Sequence, residues 1–158
     1  MIEVVRAGAL TTVQDLGRPG LAHLGVPRAG ALDAPALSLA NRLVGNPADA
    51  AGLEVTVTGC ALRLLAAGTI AATGAYGRLR VAGRAAQFGQ PVAVPAGATV
   101  ELGRAEGGVR TYLAVAGGIA VPAVLGSRAT DTLSGLGPPK LVDGQLLPVG
   151  RPAGPPGA

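Results

Sequence analysis

Apolar and polar positions along this chain change period once, near residue 52. Before that point, Ile2 to Val5 reads as a first strand, and a polar, glycine-rich stretch from Thr11 to Gly30 follows. Its turn signals are Asp15-Leu16-Gly17, Pro19-Gly20 and Arg28-Ala29-Gly30. A loop of about 20 residues in a compact domain is usually functional or disordered. Next comes a helix signal. Asp33 can cap free backbone N–H groups, and Pro35 falls in the first turn, where a missing N–H costs little. Ala36, Leu39, Ala40 and Leu43 share one face, while Gly45 and Asn46-Pro47 end the run. After residue 52 the period is two. Short strands are predicted at Leu53 to Thr58, Ala61 to Leu65, Thr69 to Thr73, Arg78 to Val81, Pro91 to Val94, Ala98 to Leu102 and Val109 to Val115. Many closely spaced strands and one principal helix at 34–44 predict a mainly β fold, a closed or nearly closed β-barrel. The end, 151–158, has no apolar periodicity and reads as linker or tail.

Composition narrows this picture. Leu, Val, Ile and Phe supply 42 of the 158 residues, enough for a core despite 26 Gly and 13 Pro. One His and one Cys cannot make a self-contained zinc site or an internal disulfide. The N-terminus carries Glu3 and Arg6 where a signal peptide needs an unbroken apolar stretch. The longest uncharged run, Thr111 to Ser127, is interrupted by Gly117, Gly118 and Pro122, so a strand and a turn explain it better than a membrane span. A soluble, cytoplasmic protein without a membrane partner is expected. Net charge is +4, but the arginines are scattered singly and only Tyr76, Phe88 and Tyr112 are aromatic, which argues against nucleic acid as a partner. No P-loop or dinucleotide fingerprint can be read.

Candidate chemistry concentrates in two polar segments. Gln14, Asp15 and Arg18 place an amide, a carboxylate and a guanidinium within five positions. Either Asp15 caps a turn and pairs with Arg18, or Gln14 and Arg18 present planar donor forks to a carboxylated ligand. Gly126-Ser127-Arg128-Ala129-Thr130-Asp131 could hold an oxyanion through backbone N–H groups, hydroxyls and Arg128, or could simply close the barrel. Asp33 reads as a helix cap before a base, and Asn41 as an anchor for the long loop. His23, the only imidazole, would need Ser127 and Asp15 for a triad, and no nucleophile elbow is present. Cys60 reads as a small buried hydrophobe.

These segments carry a family likeness. TTVQDLGRPG at 11–20, GVPRAGALD at 25–33, LANRLVGN at 39–46, LEVTVTG at 53–59 and RTYLAVAGGIAVPAVLGSRATD at 110–131 closely resemble the biotin-dependent carboxyltransferase-like family. That family takes in the C subunit of bacterial 5-oxoprolinase, once called allophanate hydrolase subunit 2, the Kip antagonists and the carboxyltransferase region of urea amidolyase. The resemblance runs collinearly over about residues 1–150. It implies a cyclophilin-like β-barrel and a cleft between two lobes, with 1–150 as the first lobe and 151–158 as a shortened interlobe linker. The positions it carries over for substrate binding are Gln14, Asp15, Arg18, Gly30, Asp33, Asn41, Ser127, Arg128 and Thr130, with no catalytic residue assigned. Ala29 and Ala129 stand where family members often carry Ser, and each change removes a hydroxyl. The leading implied function is a subunit of an ATP-dependent 5-oxoprolinase complex that opens 5-oxoproline to glutamate, inactive alone. Its partners would be a companion small subunit, a lactam-hydrolase subunit and the second lobe, and its ATP would be used at the level of the complex. Two alternatives are carboxyl transfer to urea or a related amide, and non-catalytic antagonism of a histidine-kinase inhibitor. Under the carboxyl-transfer alternative, biotin would ride on another chain, because Met1 is the only Met and no Met-Lys-Met acceptor exists.

Overall fold

A computed structural model describes residues 1–157, and the expected mainly β class with one principal helix is borne out. One antiparallel sheet has the order β11 (Leu146–Leu147), β1 (Ile2–Arg6), β4 (Cys60–Leu64), β9 (Thr99–Leu102), β6 (Leu79–Val81) and β7 (Arg84–Ala85). The other has the order β2 (Leu10–Gln14), β3 (Gly52–Thr56), β10 (Glu106–Val115), β5 (Gly68–Tyr76) and β8 (Val92–Val94). Ala158, the last residue of the expected tail, lies outside the described residues.

Alternation along the strands decides what each sheet buries. In the six-stranded sheet Val4, Leu62, Val100 and Val81 form one cross-strand row in the main core. Leu53, Val55, Ile70, Ala72, Leu113 and Val115 of the five-stranded sheet join the same core. Their neighbours in sequence point the other way, toward α1 (Ala34–Leu43), as period two requires. There Ala71 and Ala114 pack with Ala40, Leu43 and Val44 in a second cluster. The two sheet alanines are small enough for the helix to come close, and Thr73 Oγ1 donates to the Ala36 carbonyl at 2.6 Å.

Three sequence expectations need correction. The helix buries Leu37, Ala40, Asn41 and Leu43, whereas Leu39 is 41% exposed, so the buried face is rotated from the one the leucine spacing indicated. Asn41 makes this rotation possible. Its amide donates to the carbonyls of Ala48 and Ala50 and its oxygen accepts from Asn46, so a polar side chain sits in the face without loss. Second, Thr11–Gln14 is not loop but strand, and all of it is buried. Its polar groups find partners within the protein, Gln14 Oε1 excepted: Thr11 Oγ1 donates to Ala7, and its free edge is covered by Thr130 N donating to Val13 O and Leu141 N to Thr11 O. Hydropathy could not reveal such a strand. Third, β7, β11 and a 3-10 turn at Ala22–Leu24 have no counterpart among the expected elements.

The remaining local expectations hold. Asp33 accepts from Ala36 N at 3.1 Å, and Gly45 ends the helix at φ +81°. Cys60 is buried, and burial pushes its thiol up to about 12 against the opposing effect of Arg6. Among the described residues no helix is long and apolar enough to cross a membrane. The tail runs against the end of α1, with Gly157 N donating to the Leu43 carbonyl.

Candidate functional site

β2 ends by delivering Asp15 to the place where two irregular segments cross. Asp15 is 8% exposed, and its carboxylate both closes its own turn and ties that turn to the segment of Ser127 and Arg128. Oδ1 accepts from Gly17 N at 2.8 Å and from Ser127 Oγ at 2.5 Å, and Oδ2 accepts from Arg128 N at 2.8 Å. Ser127 Oγ in turn accepts from Ala129 N. The segment 15–18 also pairs with 28–31, through Arg18 N to the Arg28 carbonyl and Ala31 N to the Asp15 carbonyl. Gly30 permits that approach. Its φ is +89°, and a Cβ there would lie 2.8 Å from the Gly17 nitrogen.

Behind Asp15 the side chains are more deeply buried. Arg18, 2% exposed, donates from Nε to Val124 O and from Nη2 to the carbonyls of Ser127 and Ala129. Gln14 Nε2 donates to Thr12 Oγ1 and Thr130 O. These donor forks are thus turned onto the protein's own oxygens. Three polar atoms nevertheless have no protein partner: Gln14 Oε1, Arg18 Nη1 and Thr130 Oγ1. Nearby, the Ser134 hydroxyl donates to Asp131 and holds that carboxyl below its ordinary range, with backbone N–H groups and Arg18 assisting.

In front of Asp15 lies an open cleft of about 630 Å³. Asp15, Arg28, Asp49, Arg128 and Arg151 line it, together with the backbone of Gly117 and Gly126. Arg128 is anchored by Nε donating to Val121 O at 2.7 Å, and Arg28 reaches back to the Leu16 carbonyl. Three guanidinium groups against two carboxylates make the cleft suited to an anion that accepts paired hydrogen bonds. A separate cavity of about 370 Å³ lies under the tail, walled by Ile2, Leu64, Val115 and Pro152, with no charged side chain in its lining.

Of the nine residues singled out from sequence, Asp15 and Arg128 border this cleft. Gln14, Arg18, Ser127 and Thr130 are buried behind them, and Gly30 shapes the turn. Asp33 and Asn41 are elsewhere, one capping α1 and the other inside the helix packing. His23 is exposed on the 3-10 turn and makes no hydrogen bond among the described residues, whereas Ser127 faces Asp15 directly. Sequence reasoning missed Arg28, Asp49 and Arg151, which nothing local distinguishes from other surface charges. It also missed a second carboxylate hub. Glu54 Oε2 accepts from Tyr112 Oη at 2.8 Å and from Leu32 N at 2.9 Å, and Arg110 Nε lies 3.3 Å from Oε1. Tyr112 Oη also accepts from Asp33 N, and burial is the main cause of its raised pKa. An acid inside the alternating run Leu53-Glu54-Val55 was the available signal.

Comparison with known proteins covers most of the chain. The family model "Carboxyltransferase domain, subdomain A and B" matches residues 24–158. The C subunit of 5-oxoprolinase from Escherichia coli is 44% identical over 154 residues, 96% of this chain and 50% of that protein. The urea amidolyase of Saccharomyces cerevisiae is 40% identical over 137 residues, 86% of this chain but 8% of that protein. The crystal structure of TTHA0988 superimposes with a TM-score of 0.90 at 39% identity, covering 99% of this chain and 32% of that one. This chain therefore spans about half the length of the 5-oxoprolinase C subunit that it matches.

Proposed function

This chain belongs to the carboxyltransferase-domain family, subdomains A and B, and on that premise we propose that it forms one lobe of a 5-oxoprolinase C subunit. The observation that carries the reading is the 44% identity to that subunit across 96% of the chain. In this reading the protein works in the cytoplasm with a companion small subunit and a lactam-hydrolase subunit. The substrate, 5-oxoproline, is a five-membered lactam bearing a carboxylate. The cleft beside Asp15 supplies what such a molecule needs from this chain. Arg28, Arg128 and Arg151 hold and orient the anion, and the Asp15 hub fixes the Arg128 backbone against the segment that carries Gly17. Asp49 and the Asp15 edge repel a misplaced carboxylate, which favours one orientation.

ATP belongs to the complex in this reading. The N-terminus of α1, the natural cradle for a phosphate, is already occupied by the carboxylate of Asp33. The chain's contribution is substrate orientation, with activation supplied by its partners. Biotin enters only if the reaction is carboxyl transfer, as the 40% identity to urea amidolyase would suggest, and then on a carrier chain.

The test is reconstitution with candidate partner subunits. ATP turnover that depends on 5-oxoproline is expected from the complex and not from the isolated chain. Carboxylation of urea with added carboxybiotin, in place of that turnover, would replace this reading with the second one.

A further inference from the structure

Arginines that stand far apart in the sequence come together on the outer face of the six-stranded sheet. Strand register places Arg6, Ala61, Glu101, Arg80 and Ala85 opposite one another in a single cross-strand row. The adjacent row, Val4, Leu62, Val100 and Val81, is in the core. Period two turns Arg80 and Glu101 outward, and a register shift between Val4 and Arg6 brings Arg6 into the same outer row, where all three are exposed. Arg6, Arg80 and Arg78, with Glu101, Leu102 and Gly103, line a cavity of about 230 Å³. Arg78 and Arg80 also border a second cavity, of about 390 Å³, together with Tyr76. Tyr76 stands edge-on to Phe88, ring centres 5.2 Å apart, and is 49% exposed. The ion pairs among the described residues, Arg63 with Glu3 and Arg110 with Glu54, involve none of these three arginines. Three exposed guanidinium groups thus face one carboxylate in the chain's own surface.

We propose that this face, independently of the cleft and of the function read from it, docks an acidic segment of a partner protein, whose carboxylates enter between Arg6, Arg78 and Arg80. Charge complementarity requires an acidic occupant. The form of the patch selects a polypeptide over nucleic acid. Its cavities admit individual side chains, Glu101 interrupts the track of cations that a phosphate backbone would follow, and exposed Tyr beside Arg is the composition of protein–protein hot spots. Arg6 and Arg80 lie on strands and Arg78 directly precedes β6, so binding has to order their side chains and not the backbone that carries them.

Fluorescence anisotropy of the intact chain with a labelled glutamate–alanine peptide tests this, beside a lysine–alanine peptide and a single-stranded oligonucleotide. Expected is binding of the glutamate peptide that weakens with salt, falls about tenfold in Arg6→Gln and in Arg80→Gln, and is unchanged in Arg42→Gln on the far helix. Glu101→Gln should bind about threefold more tightly, a gain that no loss of folding can imitate. Unchanged affinity in the Arg6 and Arg80 variants, or an equal loss in Arg42→Gln, overturns the proposal. So does tighter binding of the oligonucleotide through the same arginines.

Discussion

Asp15 and Glu54 are both buried carboxylates that accept hydrogen bonds from the protein, yet they sit in opposite surroundings. Glu54 is closed in on the helix side of the five-stranded sheet. Its partners Tyr112, Leu32 and Arg110 join that sheet to the start of α1, and none of them lines the cleft. Asp15 joins two irregular segments instead, with an arginine-lined cleft in front and three unpartnered polar atoms behind. Burial and hydrogen bonding are alike at the two positions and do not separate a fold-holding carboxylate from one that shapes a site. What separates them is the surrounding volume, since a cleft opens at Asp15 and none of Glu54's partners lines it.

The comparison breaks most visibly at Arg18. Arg18→Met would strand the carbonyls of Val124, Ser127 and Ala129 and remove the buried cation beside Asp131, at a cost of about 4 kcal/mol in urea unfolding. A loss below about 1 kcal/mol would show that the crossing is not held from behind. Asp15→Asn and Glu54→Gln should each cost about 2 kcal/mol, since each leaves buried donors with poorer acceptors. Amide hydrogen exchange sharpens the contrast between them. Gly17 and Arg128 should exchange faster only in Asp15→Asn, and Leu32 only in Glu54→Gln, whereas identical exchange maps would erase the distinction. The smallest effect is expected at Ser134→Ala. Asp131 is held below its ordinary range chiefly by that hydroxyl, so its contribution is present above the unfolded carboxylate pKa of about 3.9 and fades as pH falls through the lower folded value. The variant should therefore lose about 2 °C of Tm at pH 7, with the difference from wild type disappearing in acid.

Much of the fold was legible because its signals are local. The Asp33 cap, Pro35 and Gly45 bracket the helix, and the strands after residue 52 alternate cleanly. The first polar segment misled because Thr11, Thr12 and Gln14 are buried in a strand by hydrogen bonds within the protein, which their polarity does not announce. The buried helix face misled because Asn41 replaces an apolar residue through hydrogen bonds that only tertiary structure supplies. At the site, motif chemistry marked 14–18 and 126–131 as polar segments, and only the fold shows that they cross. Arg28, Asp49 and Arg151 come from three separate loops, and only folding brings them to one cleft. The row of Arg6 and Arg80 is invisible for a related reason: strand register, not sequence proximity, makes them neighbours.

The arginine-walled cleft is tested most directly by steady-state kinetics of the reconstituted complex with Arg128→Gln and Arg28→Gln. A residue that orients an anionic substrate should raise the KM for 5-oxoproline about tenfold while kcat stays within about twofold, with Arg42→Gln indistinguishable from wild type. A KM unchanged in both cleft variants would contradict a substrate-holding role for the cleft.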